Sequence, residues 1–236
     1  MLIKQGVSTG TEGNVRYRLS KLGPVGGHWL DCGGFDGHYA AGLLQRGAEH
    51  VTITDVGPER VDEARRLHGQ DTRLSFAVCP AERMPFDTGS FDGVLLNEVL
   101  EHVADDQQAA HEIARVLKPG GRLFLFSPNR WFPIEGHGLH VGERMINVPA
   151  PLIPWLPKRL TGPFVKARNY WPHELVAICR NADLRIERRD FALPLFEHYP
   201  WLPERLVAWY LRHLDRLDRS PLRRFGVSTL VVARKP

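Results

Sequence analysis

The stretch "WLDCGGFDGHYAAGLL" (residues 29–44) runs from an apolar strand through a turn holding Gly33, Gly34 and Gly37 into an apolar helix. Glycine-rich strand-to-helix turns often cradle a pyrophosphate on the helix N-terminus. Here Asp31 and Asp36 flank the turn and would repel one. The spacing Gly33-Gly34-Phe35-Asp36-Gly37 also departs from G-x-G-x-x-G. Two carboxylates beside an open backbone suit a ligand carrying an ammonium or sulfonium group.

Working outward, strands and helices alternate from residue 28 to 128. "HWLDC" is the first strand, and a helix follows from about Gly37 to Arg46 with Ala40, Leu43 and Leu44 on one face. "VTITD" (51–55) is a β-branched second strand, after which Pro58 opens a helix through Arg66. "LSFAV" (74–78), "FDGVLLN" (91–97) and "RLFLFS" (122–127) are the third, fourth and fifth strands. Between the last two, Ala109, Ile113, Val116 and Leu117 mark a helix stopping at Lys118-Pro119-Gly120-Gly121. Near-continuous apolar strands alternating with helices imply a parallel α/β sheet covered on both faces, with ligands at the strands' carboxyl ends. Residues 129–169 break this rhythm with prolines and aromatics, as an active-site lid or substrate-binding insertion does. A helix over Pro172–Asn181, a strand "LRIERR" and a last strand "VSTLVVAR" complete the chain. Between those strands, about 203–219 is helical, with Leu206, Trp209, Tyr210, Leu214 and Leu217 on one face.

The 236 residues fit one domain, 1–236. No apolar run approaches the roughly 18 residues a membrane span needs. The first eighteen residues lack an apolar signal region, and Cys32, Cys79 and Cys179 show neither metal-ligand nor disulfide spacing, so a cytoplasmic location is expected. Charge is asymmetric: residues 1–150 hold 15 Lys/Arg against 19 Asp/Glu, and residues 151–236 hold 16 against 8. The basic second part fits nucleic acid, a lipid surface, an acidic substrate or a plain solvated face.

Asp55, eighteen residues after Gly37 at the end of the second strand, can accept hydrogen bonds from both hydroxyls of a ribose, or cap the next helix. A ligand with a ribose, a cation near Asp31 and no required phosphate matches S-adenosylmethionine. The blocks "WLDCGGFDGHYA", "VTITDVGPERVDEAR", "CPAERMPFDTGSFDGVLLNEVLEHV" and "ARVLKPGGRLFLFSPN" together resemble class I S-adenosylmethionine-dependent methyltransferases. The likeness is to their small-molecule (type 11) branch, which includes quinone-biosynthesis-like enzymes, and it covers about 100 residues in the right order. The resemblance implies a Rossmann-like, doubly wound, seven-stranded sheet with its last strand antiparallel, here with a cap inserted after the fifth strand. It implies that Asp31, Gly33, Gly34 and Gly37 line the methionine moiety, with Asp31 facing its ammonium group. By the same resemblance Asp55 holds the ribose, Val56 packs on the adenine, Ala81 and Glu82 lie along the adenine edge, and Asn97 contacts the methionine end. Two positions depart from the family pattern: Phe35 stands where glycine is usual, and Pro80 where an acid is usual.

Methyl transfer is an in-line displacement, so the protein aligns the nucleophile and removes its proton where needed. In "NEVLEH" (97–102) His102 is the general-base candidate, the alternative being a residue that orders its loop; Glu98 and Glu101 are weaker candidates. Trp131, His137, His140 and Tyr170 are candidate acceptor-binding residues, and no metal is expected from His137-x-x-His140. Residues 129–169 with about 196–219 are expected to cap the sheet edge and build an apolar pocket for a small-molecule acceptor whose methylated atom (O, N or C) stays open. Asn97-Glu98-Val99-Leu100 stands where an amino-directed DNA methyltransferase carries a Pro-Pro-aromatic motif, which argues against that class, and no nucleic-acid partner is expected; Tyr17-x-x-x-Lys21 lies before the first strand, the wrong place for a nicotinamide-dependent reductase. The Arg-rich helix around 203–219 is also a candidate for peripheral lipid contact, without stable insertion. Against that, Asp215 and Asp218 dilute its charge, and its apolar face is expected to cover the sheet.

Overall fold

A computed structural model describes residues 11–136, 138–141, 144–146, 150–196 and 202–236 of the chain. It begins with a helix that the sequence reading did not anticipate, α1 (Glu12–Ser20), whose first turn is closed by the Asn14 N–H donating to Thr11 Oγ1. The alternation then follows as β1 (His28–Cys32), α2 (His38–Gln45), β2 (His50–Asp55), α3 (Pro58–His68), β3 (Leu74–Val78), β4 (Phe91–Asn97), α4 (Asp106–Val116) and β5 (Leu117–Pro128). Asp105 caps α4, its carboxylate accepting from the N–H groups of Gln107 and Gln108. The helix ends one residue earlier than its apolar spacing predicts. Leu117 is already extended and pairs with Phe91, and Lys118 reaches Asp92 at 2.7 Å instead of finishing a helical turn.

The insertion after β5 contains more regular structure than its proline content suggests. β6 (Ile134–Glu135) pairs antiparallel with β9 (Ala150–Pro151), and β7 (Leu139–Val141) with β8 (Arg144–Ile146). A short helix, α5 (Lys158–Thr161), follows, then α6 (Pro172–Asn181) and β10 (Arg185–Ala192). The chain closes with α7 (Glu204–Arg212), α8 (Leu214–Asp218), a 3-10 turn (Pro221–Phe225) and β11 (Ser228–Arg234).

The main sheet has the order β10-β11-β5-β4-β1-β2-β3. β11 runs antiparallel to both neighbours, while β5, β4, β1, β2 and β3 are parallel. The seven-stranded sheet with an antiparallel last strand implied by the resemblance is the one found. One face buries Leu30, Val94, Leu96, Leu123 and Leu125 against Ile113 of α4 and Leu175 and Cys179 of α6. The other buries Val51, Ile53, Phe124 and Phe126 against Val15 and Leu19 of α1 and Ala40 and Leu43 of α2. Of the 203–219 stripe, Tyr210, Leu214 and Leu217 are half-buried, the Tyr210 ring packing on Phe196 at 4.9 Å. The helix breaks at His213, and Leu206 and Trp209 are 59% and 57% exposed, which corrects the expectation that they cover the sheet.

Candidate active site

β1 neighbours β2 on one side and β4 on the other, so the strand order reverses at β1 and opens a crevice beyond its carboxyl end. A cavity of about 1080 Å³ fills this crevice. That lies at the large end of the roughly 300–1,000 Å³ usual for small-ligand sites.

The turn after β1 forms one wall. Gly33 has φ 73°, and a Cβ there would come within 2.4 Å of Val99. At Gly34 a Cβ would meet the Asp31 carboxylate at 2.8 Å, so the chain runs closer to its neighbours here than any side chain permits. Phe35, at the position where glycine is usual, keeps a left-handed conformation (φ 47°) despite its side chain, and the Arg60 guanidinium sits over its ring at 5.2 Å. Gly37, also left-handed, starts α2 but lies outside the cavity lining.

Asp31 is buried, and among the described residues its Oδ2 has no hydrogen-bond partner. Burial, with the Asp36 and Asp55 charges nearby, pushes its carboxyl up to about 7. A cation placed beside it would favour the ionised form. Asp55 is buried at the end of β2 and accepts from the Gly57 N–H at 3.0 Å, with Arg60 at 3.5 Å. Val56, Ala81, Glu82 and Asn97 also line the cavity, together with Pro80. Glu82 Oε1 is engaged by the backbone N–H of Ala104 at 2.8 Å and fastens the loop that follows His102. An orphaned buried carboxylate oxygen, an acid at the end of β2 and a floor without side chains suit a ligand bearing a cation and a diol.

The opposite wall begins at the end of β4. Glu98 adopts φ 56°, a left-handed position for a residue with a side chain, and its carboxylate accepts from Arg18 (2.8 Å) and Ser228 Oγ. Glu101 is fully buried, accepts from Ser127 Oγ at 3.2 Å, and has its carboxyl raised by burial and by Glu98. His102 is on the cavity wall with Nε2 3.9 Å from Glu101 Oε1.

Of the candidate acceptor residues, His140 lines the cavity. Trp131 and Tyr170 do not. Trp131 packs edge-on against Trp171 and Phe225, and Tyr170 is buried with its hydroxyl on the Leu100 carbonyl and Asp106. His137 lies outside the described residues. Phe132, Ile134, Met145, Lys166 and Asn169 of the insertion complete the wall.

Sequence reasoning missed Arg18 and Tyr39. Arg18 is buried, lines the cavity, and bridges Asn97, Glu98 and Ser228; Tyr39 lines it beside Asn97, to which it is hydrogen-bonded. The capping threonine at Thr11 followed by Glu12 was the available signal for the helix that delivers Arg18. No signal was available for Lys166 or Asn169.

Residues 30–125 match the methyltransferase domain family. The chain is 37% identical over 188 residues to a ubiquinone biosynthesis O-methyltransferase of Xanthomonas oryzae pv. oryzae (strain PXO99A), covering 78% of this chain and 72% of that protein. Among solved structures it resembles an S-adenosylmethionine-dependent methyltransferase from Mesorhizobium loti, with a TM-score of 0.65 and 17% identity over 96% of this chain and 98% of that one. It also resembles a geranyl diphosphate methyltransferase in complex with S-adenosylmethionine, with a TM-score of 0.60 and 18% identity over 95% and 85% of the two chains.

Proposed function

This chain belongs to the S-adenosylmethionine-dependent methyltransferases, and from that premise we propose that it methylates a hydroxyl group of a small organic acceptor related to quinones. The cofactor supplies an electrophilic methyl group and carries its own leaving group. The protein's share of the work is to bind, orient and deprotonate. Asp31 faces the cofactor's ammonium group and Asp55 the ribose hydroxyls. Gly33 and Gly34 leave room for the methionine portion, and Val56, Ala81 and Glu82 border the adenine. With Glu82 committed to the Ala104 N–H, and Pro80 unable to accept from an amino group in the way an acid does, adenine is held mainly by packing and backbone.

His102 is the base. It takes the acceptor's hydroxyl proton as the O–CH3 bond forms and the methyl–sulfur bond breaks. The observation that carries this reading is the position of His102 on the wall shared by the glycine turn and the insertion, beside buried Glu101. The 37% identity to an O-methyltransferase of ubiquinone biosynthesis supports a ring hydroxyl as the accepting group. Residues 129–169 serve as the acceptor cap, supported by Phe132, His140 and Met145 in the cavity wall. A screen of catechols, phenols, amines and activated ring carbons with methyl-labelled cofactor tests the proposal. Label recovered on oxygen is expected; label only on nitrogen or carbon would contradict it.

A further inference from the structure

The Glu204–Asp218 segment half-buries Val207, Tyr210, Leu214 and Leu217 against the rest of the chain and leaves Leu206 and Trp209 facing outward. Neither α7 nor α8 has a buried residue, and Leu206 and Trp209 stand more than half exposed. At about 100° per residue within α7, Leu206 and Trp209 share one face, and Arg205 and Arg212 run along its border. Among the described residues, none of these arginines is paired with a carboxylate.

Two sequence arguments against a lipid-facing helix fail on the structure. Asp218 does not dilute the basic face, because it turns inward onto Tyr17 Oη at 3.0 Å and Lys21 Nζ at 2.7 Å. Within α7, Glu204 falls on the opposite side of the helical wheel. Leu206 and Trp209 do not cover the sheet either.

We propose that this face of α7 docks on an anionic bilayer surface, with Leu206 and Trp209 entering the headgroup boundary and the arginines meeting lipid phosphates. Charge complementarity selects the partner. Residues 151–236 hold 16 Lys/Arg against 8 Asp/Glu. A second copy docked by two-fold symmetry would set like rows of arginine close together. Nucleic acid would meet the arginines but leave Leu206 and Trp209 without a use. The following turn adds exposed Leu222 and Phe225, and the Phe225 ring lies 6.0 Å from Trp131, chain neighbour of the cavity residue Phe132. The docking face thereby extends towards the acceptor side of the cavity. Among the described residues no helix is long and apolar enough to cross a membrane, so the contact is peripheral.

Co-sedimentation of the full chain with phosphatidylglycerol–phosphatidylcholine vesicles, against phosphatidylcholine alone, tests the proposal. Partition at least about tenfold stronger onto the anionic vesicles is expected, weakening as salt screens the arginines. The double variant Leu206→Glu, Trp209→Glu should lose that partition with its thermal midpoint and S-adenosylhomocysteine affinity unchanged. Absence of anionic-vesicle binding, or equal binding by the double variant, overturns the proposal. So does lipid-free self-association abolished by the double variant, or capture of duplex DNA in preference to vesicles.

Discussion

At the cofactor end of the cavity the chain turns between β1 and α2 over Gly33, Gly34 and Phe35. At the acceptor end the wall residues Phe132, His140, Met145 and Lys166 arrive from hairpins and turns spread over a long insertion. The first wall is made largely of backbone, and its shape admits few residue types at each position. The second is made of side chains whose positions depend on distant partners. Arg130, for example, is held by the Pro154 and Leu156 carbonyls, and Asn129 by those of Arg224 and Gly226. Backbone constraint leaves a trace in a local motif. Constraint by long-range packing does not.

The contrast breaks most sharply at Arg18, which belongs to neither region by sequence yet ties β4 to β11. Arg18→Ala would take the buried guanidinium away from half-buried Glu98, and a loss of about 1–3 kcal/mol is expected in denaturant unfolding. Arg65→Ala, at an exposed helical pair with Asp62, should cost no more than about 0.5 kcal/mol. Equal effects would show that the Arg18 network is not structural. If the cofactor end works independently, Asp55→Ala should weaken S-adenosylhomocysteine binding by about 1–3 kcal/mol in calorimetry, and His140→Ala should leave it unchanged.

The pH response sharpens the same division. With its carboxyl near 7, Asp31 holds a proton in the folded, unliganded protein that the unfolded chain has already lost by pH 5. Its contribution to stability is therefore present at low pH and lost as pH rises from about 4 through 7. A bound ammonium group favours the ionised form, so cofactor affinity should climb between pH 6 and about 7.5 with release of a proton. Asp31→Asn should flatten that climb, and a slope surviving in the variant would assign it to another group. A small net effect is expected at Phe35. Gly there would relieve about 1–2 kcal/mol of left-handed strain but forfeit the contact with Arg60 and raise the entropy of the unfolded chain. A net change within about 1 kcal/mol is expected, and a loss above about 2 would mean that Phe35 packs on more than Arg60.

Five parallel strands, their connecting helices and the turn after β1 were legible because strand length, β-branching and glycine placement act within a few residues. Asp31 and Asp55 were legible for the same reason, each ending a strand next to a turn. The insertion's hairpins were not, since each pairs only two or three residues and its prolines mask the alternation. Tyr170 was misplaced because its aromatic ring was visible and its partner Asp106 was not. The stripe of α7 had the right period, but periodicity alone does not say which of its residues are covered.

On the proposed reading His102 takes the acceptor's proton where the two walls meet and has no part in holding the cofactor. Single-turnover methyl transfer to the identified hydroxyl acceptor, measured beside S-adenosylhomocysteine affinity in His102→Ala, tests it most directly. A fall of about 100-fold or more in the transfer rate with cofactor affinity intact is the expected result. An unchanged rate, or a rate that falls only in step with cofactor affinity, would contradict it.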